Sequence, residues 1–471
     1  MNKQITSKLE QPGDMRAELR HIAKHGSTVL TGQLAVMLYA VADSVIAGRY
    51  GAEALAAMSV GTAVYASVYV ALFGVMQAAM PVYAERHGAG EPLAVGAAWR
   101  QSLYLLAFVS VLGMLCLLSP HWLLRLAKVP DALQTEVLGY LQVQALAMPA
   151  ALFFRAFSSL SQGIGKPAVV MWIQLASLPT KIGLSGWFVF GGLGVPAQGA
   201  VGCAWGSFVV YGLMALAGLG LLVWGSSHRA ICAWQRLEPP NWRALGDLLR
   251  LGVPSGGAML FEVTSFTLMA VLIARLGVTA SGAHQVAINV AALMFMVPLS
   301  LSIAASARVS YWIGAAQALH ARRVVLLSLK LAVLWGFIGT CLLVALAPFI
   351  SKAYSSDTAL QQLATYLLFW VAGYQLFDTL QTICVFILRS YRVTVLPFLV
   401  YAVVLWGMGL GGGLVLTYQG IGPIFGLQFA AWQSPAGFWA AATAALAFTA
   451  LAFWWLLAVT LNRIKQSAQP A

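Results

Sequence analysis

Charged residues are scarce in this sequence, and acids are scarcer than bases. Only 9% of the 471 residues are charged, 60% are hydrophobic, and 14 Asp and Glu stand against 27 Lys and Arg. Soluble domains carry about a quarter charged residues, so this composition excludes an ordinary soluble fold. Apolar runs of roughly 20 residues, the length that spans a bilayer as a helix, recur throughout the chain. The alternating segments of outer-membrane barrels are absent. The sequence therefore predicts an all-α membrane protein with many spans.

Motifs that would indicate other classes of protein are also missing. Residues 1–25 carry charges of both signs without a signal-peptide pattern, so we expect the first span to serve as the targeting signal. No Walker sequence is present, and the glycine clusters at 191–194 and 411–413 lack the flanking strand and soluble helix of a nucleotide loop. No cofactor and no ATP-driven pumping by this chain are expected. The cysteines lack disulfide or metal spacing; they are Cys116, Cys203, Cys232, Cys341 and Cys384.

Twelve transmembrane helices are predicted from the apolar runs. Their expected bounds are 26–48, 57–82, 96–119, 132–161, 167–192, 197–225, 250–274, 281–307, 324–350, 359–388, 394–417 and 437–462. With the N-terminus in the cytoplasm, 20 of the 27 Lys and Arg fall on the cytoplasmic side and five fall outside. This asymmetry follows the positive-inside rule. The net charge of +13 therefore reflects topology and does not indicate a nucleic-acid partner.

An internal repeat divides the chain into two halves. A shift of 226 residues aligns "RYGAEALAA", which begins at Arg49, with "RLGVTASGA", which begins at Arg275. Between the halves lies a polar, basic segment broken by Pro239 and Pro240. The pattern predicts two six-helix lobes related by a pseudo-two-fold axis along the membrane normal, as in many transporters. The expected parts are a cytoplasmic segment 1–25, lobes 26–225 and 250–463, a cytoplasmic linker 226–249 and a tail 464–471.

Five charged residues are predicted to lie inside spans: Asp43, Glu262, Asp378, Arg155 and Lys181. A charge in that setting costs at least about 2.5 kcal/mol even on lenient insertion scales. Each acid is therefore either a structural group hydrogen-bonded to a neighbouring helix or part of an ion or proton site. Burial favours the protonated form of a carboxyl group, which prepares it for proton exchange, and carboxyl oxygens also suit Na⁺.

Two tyrosines share helix faces with two of these acids. Tyr39 precedes Asp43 by four residues, and Tyr374 precedes Asp378 by four. A phenol at that spacing can donate a hydrogen bond to the carboxylate or contribute an oxygen to a cation. Because tyrosines are common in spans, the spacing alone is a weak signal.

Two further patterns leave alternatives open. Phe266 and Phe295 are either packing residues or contacts for a bound cation. "GLSG" at 183–186 resembles a motif of rhomboid intramembrane proteases, in which Ser185 would be the nucleophile and His284 its base. Twelve helices are too many for that protease fold, so this reading is the weakest.

Longer motifs resemble those of the multidrug and toxic compound extrusion (MATE) family. They are "DSVIAGRYGAEALAA" from Asp43, "HGAGE" from His87, "SQGIGKP" from Ser161, "AHQVAIN" from Ala283, and the glutamate of "LFEVTSF", Glu262. The resemblance covers nearly the whole chain and points to the NorM-like bacterial branch. It implies a secondary antiporter that expels amphipathic, often cationic drugs in exchange for Na⁺ or H⁺. A bacterial inner membrane, both termini in the cytoplasm and a monomeric state are expected, with no enzymatic activity.

The resemblance also implies roles for particular residues. Glu262 and Asp378, with Tyr374 beside them, match a cation site in the C-terminal lobe, where Na⁺ or H⁺ would bind. Asp43 matches a second polar site in the N-terminal lobe. Five positions are candidate substrate contacts: Gln285, Asn289, Asp357, Phe266 and Phe295.

The sequence departs from the family pattern in the fifth span. Many relatives carry asparagines there, facing the first-span acid, whereas this chain has Lys181 and Ser185. A lysine near mid-span needs a counter-charge. Because the family brings the first and fifth spans together, we expect Lys181 to approach Asp43, near Tyr39, in at least one transport state. The alternative is that Lys181 lines a hydrated cavity.

A lipid-linked precursor flippase of the same superfamily is the second hypothesis for function. A flippase would need a strongly basic central cleft for pyrophosphate. Three intramembrane acids against two bases favour cationic cargo instead.

Overall fold

The computed structural model describes residues 14–119, 131–192, 194–225, 228, 230–234, 237–424, 427–429 and 431–467. Up to residue 225 the described helices are α1 (Met15–Tyr50), α2 (Ala52–Gln77), α3 (Met80–Gly88), α4 (Pro92–Leu118), α5 (Asp131–Gly163), α6 (Pro167–Phe190) and α7 (Ala200–Trp224).

The helices beyond residue 237 continue the same pattern. They are α8 (Trp242–Ile273) with a 3₁₀ turn (Ala274–Leu276), α9 (Val278–Gly314), α10 (Ala318–Tyr354), α11 (Thr358–Ser390), α12 (Val395–Val403), α13 (Gly412–Leu414) and α14 (Ala436–Ser467). Two π-helical segments, Val404–Gly411 and Val415–Gln419, flank α13. A short antiparallel hairpin of β1 (Ile421–Ile424) and β2 (Leu427–Phe429) pairs Ile421 with Phe429 and Ile424 with Leu427.

Twelve described helical segments are long and apolar enough to cross a membrane, which confirms the predicted number of spans. Helices α2 and α3 form one such segment, Ala52–Gly88, and the stretch from α12 through the second π-helical segment forms another, Val395–Gln419. Large apolar side chains such as Phe108, Leu216 and Phe337 are exposed on these helices. Outward-facing apolar side chains are expected where the surrounding solvent is lipid.

Contacts divide the described chain into two units. The N-terminal unit contains Ser27–Gly256 and Ile313–Ala316; the C-terminal unit contains residues 14–26, Gly257–Trp312 and 317–467. In the N-terminal unit, α5 packs against α2, α4 and α7, and its Leu152 and Phe157 are completely buried. In the C-terminal unit, α11 packs against α10 and α14 and buries Val371 and Ile387. Each unit is thus organised around one central helix.

The beginning of α1 differs from the sequence-based expectation. The first span was expected from residue 26, with Glu18 in the terminal segment before it; α1 begins at Met15, and Glu18 is only 1% exposed. Its carboxylate accepts hydrogen bonds from Arg308 Nε (2.6 Å), Arg308 Nη2 (2.8 Å) and Trp312 Nε1 (3.1 Å), and His320 Nε2 lies 3.3 Å away. The sequence analysis did not foresee this burial, because the partners of Glu18 lie on α9 and α10, about 290 residues further along the chain.

Replacement of Glu18 by glutamine should destabilise the C-terminal unit. The change removes the carboxylate that pairs with the partly buried Arg308, and breaking a fully buried ion pair from one side costs about 3–5 kcal/mol, which is an upper bound here. We expect the thermal unfolding midpoint of the purified protein in detergent to fall by several degrees. Glu53→Gln, which alters an exposed acid in the first turn of α2, is the matched control. Equal midpoints for the two variants would contradict a stabilising role for Glu18.

Candidate functional site

The N-terminal unit contains a buried ion pair between α1 and α6. Lys181 Nζ lies 2.8 Å from Asp43 Oδ2, and the two residues are 2% and 8% exposed. Ser185 Oγ donates to the other oxygen of Asp43, Oδ1, at 2.8 Å. The approach of Lys181 to Asp43 that the sequence predicted is therefore confirmed in this structure.

Helix α7 completes the surroundings of the lysine. Lys181 Nζ is 2.8 Å from Ser207 Oγ and 2.9 Å from both the Cys203 carbonyl and Ser185 Oγ. Gly206 makes this close helix contact possible, because a Cβ there would lie 2.5 Å from Ser185 Oγ. The ammonium group is thus enclosed by one carboxylate and three neutral oxygen acceptors, which satisfies the charge in an apolar setting. The alternative of a lysine that only lines a hydrated cavity does not fit this geometry.

Tyr39 has a different partner from the one that its spacing suggested. Its hydroxyl donates to the Gln174 carbonyl at 2.8 Å and also contacts Ser177 Oγ, both on α6. It therefore ties α1 to α6 one turn away from Asp43. The four-residue spacing correctly places Tyr39 and Asp43 on one face of α1. The Tyr39 hydroxyl nevertheless bonds to Gln174 and Ser177 of α6 and not to the Asp43 carboxylate.

In the C-terminal unit the predicted cation site lies where α8 meets α11. Glu262 and Phe266 share one face of α8, and Tyr374 and Asp378 share one face of α11, each pair separated by four residues. The rings of Phe266 and Tyr374 are in edge contact, with centroids 5.9 Å apart. The two acids, Glu262 and Asp378, belong to these same faces.

Asp378 is held by residues that the sequence analysis did not single out. Gln381 Nε2 donates to Asp378 Oδ1 at 3.0 Å, and the Tyr401 hydroxyl on α12 hydrogen-bonds to Gln381 Oε1. Gln375, completely buried on α11, has both amide atoms without a hydrogen-bond partner in the described structure. The three-residue spacing of Gln381 from Asp378 was the available signal. Tyr374, by contrast, packs its ring against Phe266 and Trp439.

Glu262 differs from Asp43 in the partners of its carboxylate. Among the described residues, its carboxylate accepts no hydrogen bond and forms no ion pair. The two acids of the C-terminal unit therefore have no basic partner among the described residues, whereas Asp43 in the N-terminal unit has one. Two carboxylates at close range repel when both are ionised, and a proton or a metal cation between them relieves that repulsion.

The candidate substrate contacts are distributed over three helices. Gln285 and Asn289 lie one turn apart on α9, and Gln285 Nε2 donates to Asn289 Oδ1 at 3.0 Å. Phe295 is a half-buried residue further along α9. Asp357 is exposed and caps α11 by accepting a hydrogen bond from the Ala359 amide at 2.9 Å. This capping contact gives Asp357 a local structural function.

His284 and Ser185, the residues considered for a protease, each have other partners. His284 Nδ1 accepts a hydrogen bond from Trp439 Nε1 at 3.2 Å, in the C-terminal unit. Ser185 Oγ is bonded to Asp43 and Lys181 in the N-terminal unit. Each side chain is thus explained by its own unit without a catalytic role.

Comparisons with known proteins identify the family. The model of the MatE family matches residues 29–187 and 254–413. The chain belongs to the MatE family. Among its relatives, the probable multidrug resistance protein NorM of Aromatoleum aromaticum is 36% identical over 93% of this chain and 94% of that protein. The protein of the same description from Chromobacterium violaceum is 32% identical, covering 94% of each chain.

Solved MATE structures share the fold. The crystal structure of the eukaryotic MATE transporter AtDTX14 has a TM-score of 0.83 at 16% identity, covering 96% of this chain and 99% of that one. An outward-facing MATE family transporter of the MOP superfamily has a TM-score of 0.85 at 15% identity, covering 98% of this chain and 99% of that one. The protein is thus a multi-pass membrane transporter of the MATE family and not an enzyme, and the protease hypothesis is wrong.

The pairing of Lys181 with Asp43 can be tested by a double-mutant cycle. Lys181→Ala strands a buried carboxylate, so it should lower the thermal midpoint and transport more than Lys181→Ala combined with Asp43→Asn does. We expect a coupling free energy of about 0.5–3 kcal/mol between the two positions. Thermal unfolding and dye efflux of the two single variants and the double variant provide the measurement. Additive losses would show that the two residues act separately.

Proposed function

We propose that this protein is a secondary multidrug antiporter that exports amphipathic, often cationic compounds in exchange for Na⁺ or H⁺ by alternating access. Its relatives in two bacteria are described as probable multidrug resistance proteins, which supports drugs as the substrate class. Membership of a transporter family supports movement of a solute across the membrane. The coupling ion and the site that binds it are argued from the residues.

The observation that carries the proposal is the pair of unneutralised acids, Glu262 and Asp378. Within the described part of the C-terminal unit neither has a basic partner, and Asp378 is 2% exposed. Gln381 Nε2 donates to the Asp378 carboxylate, and the Tyr401 hydroxyl donates to Gln381 Oε1. The carboxylate oxygens of the two acids are hard ligands that suit Na⁺ or a proton. We propose that the coupling ion binds at Glu262 and Asp378.

The N-terminal unit has a different role in this scheme. Lys181 already neutralises Asp43 at 2.8 Å and fills the space beside the carboxylate. It acts as a built-in cation, which leaves the coupling ion to Glu262 and Asp378. A drug or proton that used Asp43 would first have to break that pair.

The energetics of coupling limit what one ion can do. A monovalent cation that moves inward across 100 mV releases about 2.3 kcal/mol. One ion per cycle therefore supports modest drug gradients. Gln285, Asn289, Phe266, Phe295 and Asp357 are proposed as contacts along the drug path, since amide and aromatic groups bind lipophilic cations through polar and cation–π contacts.

Membrane location and assembly complete the proposal. The excess of Lys and Arg in predicted cytoplasmic segments supports a bacterial inner membrane with both termini in the cytoplasm. The internal repeat supports two six-helix lobes at 26–225 and 250–463, joined by a cytoplasmic linker at 226–249. A monomer is proposed as the working unit.

Expression in a drug-sensitive bacterium should raise resistance to lipophilic cations such as ethidium. We expect lower ethidium accumulation than in cells with an empty vector, and efflux from vesicles should respond to an imposed Na⁺ or H⁺ gradient. Fluorescence of the dye under separate Na⁺ and H⁺ gradients identifies the coupling ion. Unchanged accumulation in cells with verified membrane insertion would count against export.

Glu262→Gln and Asp378→Asn should each abolish coupled efflux while preserving expression. Both changes keep the shape of the side chain and remove the charge that a cation or proton neutralises. The measurement is gradient-driven ethidium efflux from vesicles that contain equal amounts of folded protein, with Glu53→Gln as the control. Wild-type efflux by both variants would refute the assignment. Failure of both to fold would favour a structural role for the acids.

A further inference from the structure

One face of α10 points away from the C-terminal unit and carries two cations within an apolar stripe. The opposite face packs into the unit and buries Val324, Ser328 and Ala332. The outward residues recur every three or four positions, and they are Arg323, Leu326, Lys330, Val333, Leu334 and Phe337. Because a spanning helix exposes its outer face to lipid, this stripe is a lipid-contacting surface.

The length of α10 fixes the depth of these cations in a bilayer. Arg323 and the exposed Lys352 are 29 residues apart on the same helix, which corresponds to about 43 Å. A bilayer with its headgroups is about 40–45 Å thick, so these two residues lie at the two headgroup levels. Lys330 is seven residues, or about 10 Å, further in than Arg323. Its backbone therefore lies at the edge of the hydrocarbon core, which is about 30 Å thick.

The geometry of the helix directs the Lys330 ammonium towards the headgroups on the Arg323 side. A charge left in hydrocarbon is costly, so a lysine at this depth extends its side chain to the interface. Side chains of an α-helix tilt towards its N-terminus, and Arg323 lies at the N-terminal end of α10. A spacing of seven residues turns the helix to within about 20° of the starting direction. The two cations are therefore nearly in line, and both reach one headgroup layer.

No carboxylate neutralises these cations in the described structure. Helix α10 contains no Asp or Glu, and neither Arg323 nor Lys330 forms an ion pair with a described residue. Arg322 adds a third positive charge beside them, and its Nε has no hydrogen-bond partner among the described residues. Arg308 in the same unit is different, because it pairs with Glu18. At a lipid-contacting surface the anions available at headgroup level are the phosphates of lipids.

We infer that this face of α10 binds one anionic phospholipid, with its phosphate between Arg323 and Lys330 and its acyl chains along the apolar stripe. The guanidinium binds a phosphate through two parallel hydrogen bonds, and the lysine adds a point charge. A lipid with net negative charge, such as phosphatidylglycerol, is preferred because no choline cation offsets its phosphate. In the proposed orientation the lipid belongs to the cytoplasmic leaflet. Lipid binding at this surface does not depend on the proposed export function.

The test compares two lipids that differ only in the head group. Phosphatidylglycerol and phosphatidylcholine with identical acyl chains are titrated into the purified full-length protein in detergent, and lipid-bound protein is measured by native mass spectrometry. The wild type should bind its first phosphatidylglycerol more tightly than phosphatidylcholine. Arg323→Gln and Lys330→Gln should each weaken that binding about fivefold, the loss for one cation at an anionic surface, and leave phosphatidylcholine binding unchanged. Lys330→Arg should retain the preference, because it keeps the charge at the same depth.

Lys352→Gln is the matched control for these variants. Lys352 is an exposed lysine at the other end of α10, so its replacement should leave the affinity for the first phosphatidylglycerol at the wild-type value. Thermal unfolding gives a second measurement, because a ligand that binds the folded protein raises its unfolding midpoint. Phosphatidylglycerol should raise the midpoint of the wild type and of Lys352→Gln. It should raise the midpoint of Lys330→Leu less, although this variant continues the apolar stripe and should fold normally.

Three outcomes would overturn the inference. The first is equal affinity of the wild type for the two lipids, and the second is wild-type phosphatidylglycerol affinity in both Arg323→Gln and Lys330→Gln. The third is displacement of phosphatidylglycerol by inorganic phosphate, which would assign the cations to a soluble anion. If Lys330→Gln does not fold, Lys330→Leu decides the matter, since wild-type phosphatidylglycerol affinity in that variant would refute the site.

Discussion

The cost of a charge in an apolar medium is the constraint on which the rest of this structure depends. Glu18 is buried because Arg308 supplies two charge-assisted hydrogen bonds, and Lys181 is buried because Asp43 and three neutral oxygens surround it. In each pair, attraction and hydrogen bonds between the two charged groups offset part of the cost of desolvating them. Removal of one partner would leave the other charge without this compensation. Charges that are left without such a partner are therefore the informative ones. Among the described residues of the C-terminal unit, Glu262 and Lys330 belong to that group, with opposite signs.

The two units place their intramembrane acids in a similar way but differ in whether a basic residue neutralises them. Each unit has an acid on one helix and a pair of polar residues, four positions apart, on one face of a second helix. The acid is Asp43 and the pair is Lys181 and Ser185 of α6 in the N-terminal unit; the acid is Glu262 and the pair is Tyr374 and Asp378 of α11 in the C-terminal unit. In the N-terminal unit Lys181 forms an ion pair with the acid, Asp43. In the C-terminal unit neither Glu262 nor Asp378 has a basic partner among the described residues. In the proposed antiporter, a fixed cation in one unit and an exchangeable one in the other would make the coupling asymmetric.

Most polar residues in the spans need no functional explanation. Hydroxyl groups along the helices commonly donate to the carbonyl of the preceding turn, as Ser44 does to Ala40 and Ser59 does to Leu55. Such a bond satisfies the hydroxyl within its own helix, so no partner on a neighbouring helix is needed. Side-chain amides use both local and distant partners. Gln381 Nε2 donates to Asp378 on the same helix, and Gln381 Oε1 accepts from Tyr401 on α12, so one amide links two helices.

The sequence by itself determined the features that depend on short stretches of chain. Apolar runs predicted twelve spans, and i, i+4 spacing put Tyr374 on the face of Asp378, because each of these properties is set within one continuous stretch of chain. Its motifs also indicated the family and, through it, the meeting of Lys181 with Asp43. Only the tertiary structure decided the burial of Glu18, the cage of Cys203 and Ser207 around Lys181, and the link from Asp378 through Gln381 to Tyr401. Those contacts depend on how separate helices pack, and the packing that selects one partner among many leaves no local pattern in the chain.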